Sequence, residues 1–175
     1  MNKIRITYYK SPFGELILGS YQNHLCLCDW RRRKMRPAID KRIQQGLDAE
    51  YLEEETETIL LAKNQLTEYF NKGRISFDIP LLLVGTDFQK SVWDELLKIP
   101  FGKSQTYLGL SKNLNNELAI RAVASANGAN AISIIVPCHR IIGSKGELVG
   151  YAGGLTAKKE LLQLEGIGGN QLELF

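Results

Sequence analysis

The stretch up to Trp30 confines the fold more than any other part of the chain. "KIRITYY", "ELILGSY" and "HLCLCDW" are strand-length stretches of alternating or mostly apolar residues. Only the turn formers of "SPFG", with Pro12 and Gly14, and then Gln22-Asn23 separate them. Connections this short suit hairpins, so the sequence predicts an antiparallel meander. Next come a basic block, "RRRKMRPAIDKRIQQ", helical or loop-like, and an acidic run, "EYLEEETE". Such runs are ordinarily solvated faces, the other reading being that the two blocks pair with each other. "ILLAKNQLTEYFNKG" carries Leu60, Leu61, Leu66, Tyr69 and Phe70 at helical spacing and stops at Gly73. "ISFDIPLLLVGT" is predicted to be extended, crossing into a second unit.

From Thr86 the pattern turns helical. "TDFQKSVWDELLKIP" opens with a capping-box pair, Thr86 and Gln89, carries a stripe of Phe88, Val92, Leu96 and Ile99, and ends at Pro100. A short helix is predicted in "QTYLGLSKNL", and another, capped by Asn115-Asn116, in "ELAIRAVASAN" before Asn127-Gly128. Two short helices joined by a tight turn suggest a helix-turn-helix. The last of them has a small-residue surface (Ala119, Ala122, Ala124, Ser125, Ala126) with one long cation, Arg121. Either it packs tightly and Arg121 reaches out to water, or it lies close to something flat while the guanidinium enters it.

A length of 175 residues allows one large or two small domains. No apolar run approaches the roughly 20 residues of a membrane span, and the start has no signal-peptide pattern. The odd count of 3 cysteines argues against a disulfide framework and for a reducing, cytoplasmic setting. A net charge of +3 permits a nucleic-acid partner without demanding one.

Chemistry concentrates in "ISIIVPCHRIIGSKG", where Cys138 and His139 stand side by side. A cysteine is a nucleophile as thiolate, so a neighbour must take its proton. Adjacent residues on an extended strand point to opposite faces, so a turn or a water would have to bring these two together. On its own, Cys138 could equally be a small buried hydrophobe.

"PCHRII" resembles the signature of the O6-alkylguanine-DNA alkyltransferases, the methylated-DNA–protein-cysteine methyltransferase family. "SPFGELILG", "FQKSVWDELLKIPFGKSQTY", "RAVASANGAN" and "GYAGGLTAKKELLQLEG" resemble further motifs of that family, in its order and spacing. The resemblance covers about residues 5 to 166 and implies two domains and a tail. An α/β scaffold, residues 1–78, would be ribonuclease-H-like with a small antiparallel sheet plus helix. Residues 79–168 would form a mostly helical, winged-helix-like DNA-binding domain with a helix-turn-helix, followed by a flexible tail, 169–175.

The implied reaction is repair of duplex DNA by stoichiometric transfer of an alkyl group from O6-alkylguanine, with O4-alkylthymine as a second substrate, to Cys138. No cofactor or metal is implied, because the protein itself is consumed. His139 would be linked to Cys138 by a water and oriented by Glu165. Asn130 would hold the reactive turn, and Tyr107 would help rotate the nucleotide and protonate the leaving guanine. Arg121 would fill the gap left by the everted base. Gln89, Asn116, Ser144, Tyr151, Ala152 and Gly153 would contact DNA or the flipped base. Arg140 is expected to be structural. Leu108, Ala131 and Ser133 depart from residues common in the family.

His24, Cys26 and Cys28 alternate and would share a strand face, but three local ligands favour core or surface residues over a metal site. The tail residues Gln171, Leu172, Leu174 and Phe175 resemble the motif by which bacterial proteins dock on the sliding clamp. A terminal strand on its own domain is the other reading. Two rivals to alkyl transfer remain: a non-catalytic helix-turn-helix regulator or lesion marker, and a cysteine hydrolase that turns over.

Overall fold

The computed structural model describes residues 2–168 and the backbone of Glu173 and Leu174. The chain divides into two compact units, Met1–Gly85 and Thr86–Phe175.

In the first unit, β1 (Asn2–Ser11), β2 (Gly14–Tyr21) and β3 (His24–Trp30) form the expected meander. Gln22 and Asn23, at φ 48° and 66°, make the second turn with both central residues left-handed. That twist matches the flanking strands. Helix α1 (Arg36–Leu47) leads into β4 (Ala49–Glu53), which pairs parallel with β1. The sheet order is β3-β2-β1-β4. The sheet is therefore mixed, not antiparallel, because α1 supplies the crossover that a parallel neighbour needs. Helix α2 (Glu57–Phe70) starts at a Thr56 cap and buries Ile59, Ala62, Leu66 and Tyr69. Leu16, Leu18, Leu25, Leu27, Ile39 and Ile43 complete this core.

The basic block is not a plain solvated face, whereas the acidic run, residues 50–57, stays largely exposed as expected. Arg33 and Arg36, with side chains 6% and 13% exposed, reach the fully buried Asp29 at 3.1 and 2.9 Å. The acidic run contains β4, and its Glu50 and Glu54 pair with Lys3 and Arg5 of β1. The predicted strand after Ile75 reduces to a parallel bridge, Leu25 with Leu81, flanked by Leu25 N–H to Pro80 and Leu82 N–H to Leu25. Arg42 donates to the Val84 carbonyl at 3.1 Å. Residues 79–85, expected in the second domain, thus fall in the first unit, held through Pro80, Leu82 and Val84.

The second unit begins with α3 (Asp87–Leu96), whose Thr86–Gln89 capping box forms as expected. Helix α4 (Tyr107–Asn113) and α5 (Ile120–Gly128) follow. The segment expected to open α5 is instead a 3-10 turn, Glu117–Ala119, and Asn116 makes no side-chain cap there. Trp93 of α3 donates its indole N–H to the Ala126 carbonyl of α5 at 2.8 Å, locking the two helices. Two short parallel pairs complete the unit with α6 (Leu155–Leu164): β5 (Gln105–Thr106) with β6 (Ile141–Ile142), and β7 (Glu147–Leu148) with β8 (Glu173–Leu174). No described helix is long and apolar enough to cross a membrane.

Candidate active site

Residues Ala131 to Ile141 are all buried. Within them Ile134 adopts φ 74°, a left-handed conformation that a β-branched side chain resists. Strain of roughly 1–2 kcal/mol is expected there. Asn130 supplies the restraint: its amide donates to the carbonyls of Val136 (2.9 Å) and Ile132 (3.3 Å) and accepts from Ile132 N–H (2.9 Å). One side chain thus closes the loop that delivers Pro137 and Cys138.

Cys138, His139 and Arg140 form a 3-10 turn, not a strand. Of the two devices that the sequence left open, a turn or a water, the turn is present. His139 is fully buried, and its Nε2–H donates to Glu165 Oε2 at 2.7 Å. This fixes Nδ1 as the basic nitrogen, and Nδ1 is buried without a protein partner among the described residues. Arg140 grips the same carboxylate from the other side, Nε to Oε1 at 2.7 Å and Nη2 to Oε2 at 3.1 Å, and donates to the Ile99 carbonyl at 2.6 Å. Its role in the structure is to hold Glu165 in place.

Despite burial, the hydrogen bonds and charges of His139 and Arg140 hold the Glu165 carboxyl down at about 2. Burial, outweighing the pull of Glu165, lowers the His139 imidazole below its ordinary value. The resting arrangement at neutral pH is an ionised Glu165 and a neutral His139.

The Tyr107 hydroxyl donates to the Val149 carbonyl at 2.9 Å, tying α4 to the loop before α6. Burial, and then the charge of Cys138, push this phenol up to about 12, so it remains a proton donor. In the loop, Gly150 and Gly154 have φ of 64° and 92° with open space where a Cβ would sit. Their backbone angles, rather than crowding, call for glycine. Tyr151, Ala152 and Gly153 between them are half-buried, and Ser144 is exposed in the turn between β6 and β7. Arg121 is exposed on α5 beside Ala122 and Ser125. Gln89 has its Oε1 engaged by Thr86 N–H in the capping box, and Asn116 is exposed.

Sequence reading missed Lys158. It is fully buried on α6 and donates to the Gly150 carbonyl at 3.2 Å. Leu155, Lys158, Leu162 and Glu165 follow one helical stripe, so a lysine at an apolar position was the available signal.

His24 is exposed and bonded to the Gln22 carbonyl, whereas Cys26 and Cys28 are buried. Among the described residues no group of His, Cys, Asp and Glu is placed to hold a metal ion. Gln171, Leu172 and Phe175 lie outside the described residues. Leu174 is described only in its backbone, which pairs with β7.

The family profile described as 6-O-methylguanine DNA methyltransferase, DNA binding domain, matches residues 87–167, and its ribonuclease-like domain matches residues 4–83. The chain belongs to the 6-O-methylguanine DNA methyltransferase family. A methylated-DNA–protein-cysteine methyltransferase of Methanosarcina acetivorans is 42% identical over 159 residues, covering 90% of this chain and 96% of the relative. The Haemophilus influenzae protein of the same name is 39% identical over 168 residues, covering 95% and 89%. Among solved structures, Mycobacterium tuberculosis OGT in complex with DNA is similar at a TM-score of 0.77 and 36% identity, covering 93% of this chain and 92% of that one. The turn at Cys138, Tyr107, Arg121 and Glu165 all fall within the span of the family's DNA-binding domain.

Proposed function

We propose that this protein repairs alkylated DNA by moving the alkyl group of O6-alkylguanine, and of O4-alkylthymine, onto Cys138 in a single turnover. The observation that carries this reading is the buried chain from the Cys138 turn through His139 to Glu165, with Arg140 closing it. A water on His139 Nδ1 passes the Cys138 proton to the imidazole, and the ionised Glu165 stabilises the imidazolium. The thiolate attacks the alkyl carbon, a C–S bond forms, and the C–O6 electron pair stays on the purine. Tyr107, a phenol kept protonated, neutralises that charge as it develops.

Small residues on α5 let that helix approach the duplex while Arg121 fills the space of the everted base. Ser144 and Tyr151 to Gly153 wall the base pocket, and Gln89 and Asn116 face the DNA backbone. The first unit serves as a ribonuclease-H-like scaffold, and α4 and α5 read DNA as the helix-turn-helix of a winged-helix-like domain. A reduced, cytoplasmic setting suits the reactive thiol. In the tail, Gln171, Leu172, Leu174 and Phe175 dock on a sliding clamp, which requires β8 to leave β7.

Incubation with a duplex containing O6-methylguanine, followed by intact-mass measurement, tests the main reading. One methyl group on Cys138 and none on a Cys138→Ser variant is the expected result. Repeated turnover, or an unmodified wild type, overturns it.

A further inference from the structure

Among the described residues Leu118 is the one large apolar side chain that is fully exposed, at 100%; the next, Ile75, reaches 66%. Exposure of a lone leucine is ordinary, and it is the placing of this one that carries information. Leu118 stands in the 3-10 turn Glu117–Ala119, which runs directly into α5. Leu118, Arg121, Ala122 and Ser125 follow i, i+3, i+4 and i+7 spacing, and all four are exposed, so they share one outer face. Lys112, in the last turn of α4, is exposed as well. The leucine is thus bracketed along the chain by two cations, within the span of the family's DNA-binding domain. Exposed cations beside DNA pair with phosphates. Leucine has nothing to offer a phosphate, and its exposed neighbour Glu117 repels one. The part of a duplex that suits a leucine is its apolar surface, the base faces and sugar carbons laid bare where a nucleotide leaves the stack.

We propose that Leu118 is an apolar wedge that packs, next to Arg121, on the base and sugar surface uncovered beside the everted nucleotide. Arg121 occupies the gap in the stack, and Leu118 keeps water off its rim. The leucine therefore stabilises the opened duplex and contributes little to the intact one, whose base faces are already covered by stacking. It acts through the flipped state and not on the alkyl carbon or Cys138, so it is a positioning residue. Its contact displaces no counterion from a phosphate, so its contribution is independent of salt.

This inference rests on the alkyl-transfer reading, and the experiment separates the two. Wild type, Leu118→Ala, Leu118→Met and Leu118→Lys are compared in three assays: single-turnover transfer from an O6-methylguanine duplex, binding of an undamaged duplex across a salt series, and reaction with the free base O6-methylguanine. Leu118→Ala should slow transfer from the duplex at least about tenfold. Its melting temperature, its salt slope and its free-base rate should stay at the wild-type values. Leu118→Met, which keeps the apolar bulk, should recover most of the duplex rate. Leu118→Lys should bind the undamaged duplex more tightly, with a salt slope steeper by about one, yet transfer as slowly as Leu118→Ala.

An unaltered duplex rate in Leu118→Ala overturns the wedge and points to a protein partner for the leucine. A full duplex rate in Leu118→Lys, or a shallower salt slope in Leu118→Ala, overturns it in favour of a place beside a phosphate. A free-base rate that falls as far as the duplex rate overturns it too, because no stack is opened in that reaction. Failure of the wild type to accept a methyl group from either substrate overturns the alkyl-transfer reading instead.

Discussion

Arg140 and Glu165 face each other in a two-pronged ion pair, with contacts of 2.7 and 3.1 Å, inside a buried site. Because one carboxylate oxygen also takes the His139 N–H at 2.7 Å, the pair both holds the 3-10 turn and sets the histidine tautomer. Glu165→Gln keeps the shape but removes the charge, leaving Arg140 buried and uncompensated. Loss of stability and a fall in alkyl transfer of at least about a hundredfold are expected. Single-turnover kinetics and urea unfolding check both.

The same carboxylate makes the unit acid-sensitive. Its value falls from an ordinary 4.5 to about 2 on folding. The unfolded chain therefore binds the proton more readily, and stability is fully present above about 4.5. It is lost as pH falls from there through about 2. Unfolding followed across that range should show a steeper acid loss in the wild type than in Glu165→Gln.

Tyr107→Phe removes the hydroxyl that meets the Val149 carbonyl and, in the proposed reaction, the donor to the leaving purine. Alkyl transfer should slow by about a hundredfold. Binding of an undamaged duplex should change by much less, which a fluorescence-anisotropy titration measures.

Arg121 is exposed and its α5 neighbours are small, so Arg121→Ala should leave the melting temperature unaltered. Repair of a lesion in duplex DNA should fall at least about tenfold, because a few kcal/mol of unstacking then goes uncompensated. Reaction with the free base O6-methylguanine, which needs no flipping, should be unaffected.

In the first unit, Asp29→Ala strands Arg33 and Arg36 next to a buried void. A loss of about 3 kcal/mol is expected. Chemical denaturation monitored by Trp30, which ends the same strand, provides the measurement.

Local rules made the meander and α3 legible. The Gln22-Asn23 turn and the Thr86–Gln89 box each lie within a few residues, and tertiary context did not override them. Strand β4 was hidden because its acidic residues look like solvent-facing charge, and only pairing with Lys3 and Arg5 across a crossover makes them strand residues. The Asn115-Asn116 cap failed because Asn115 takes a left-handed φ of 55° and a 3-10 turn intervenes before α5. In the site, Cys138, His139 and Glu165 were visible through the resemblance, while the 3-10 geometry that makes them neighbours was not. Lys158 was passed over because lysine is almost never fully buried, although its place among apolar positions of α6 was a signal.

Cys26 and Cys28 are buried in the first unit, and burial lifts both thiols well above the ordinary range, Cys26 to about 12. In the proposed reaction neither is a chemical successor to Cys138, and a thioether does not exchange with thiols as a disulfide does. The number of lesions a cell could clear at once would equal its copies of this chain, and recovery after that point would run at the pace of ribosomes rather than of catalysis.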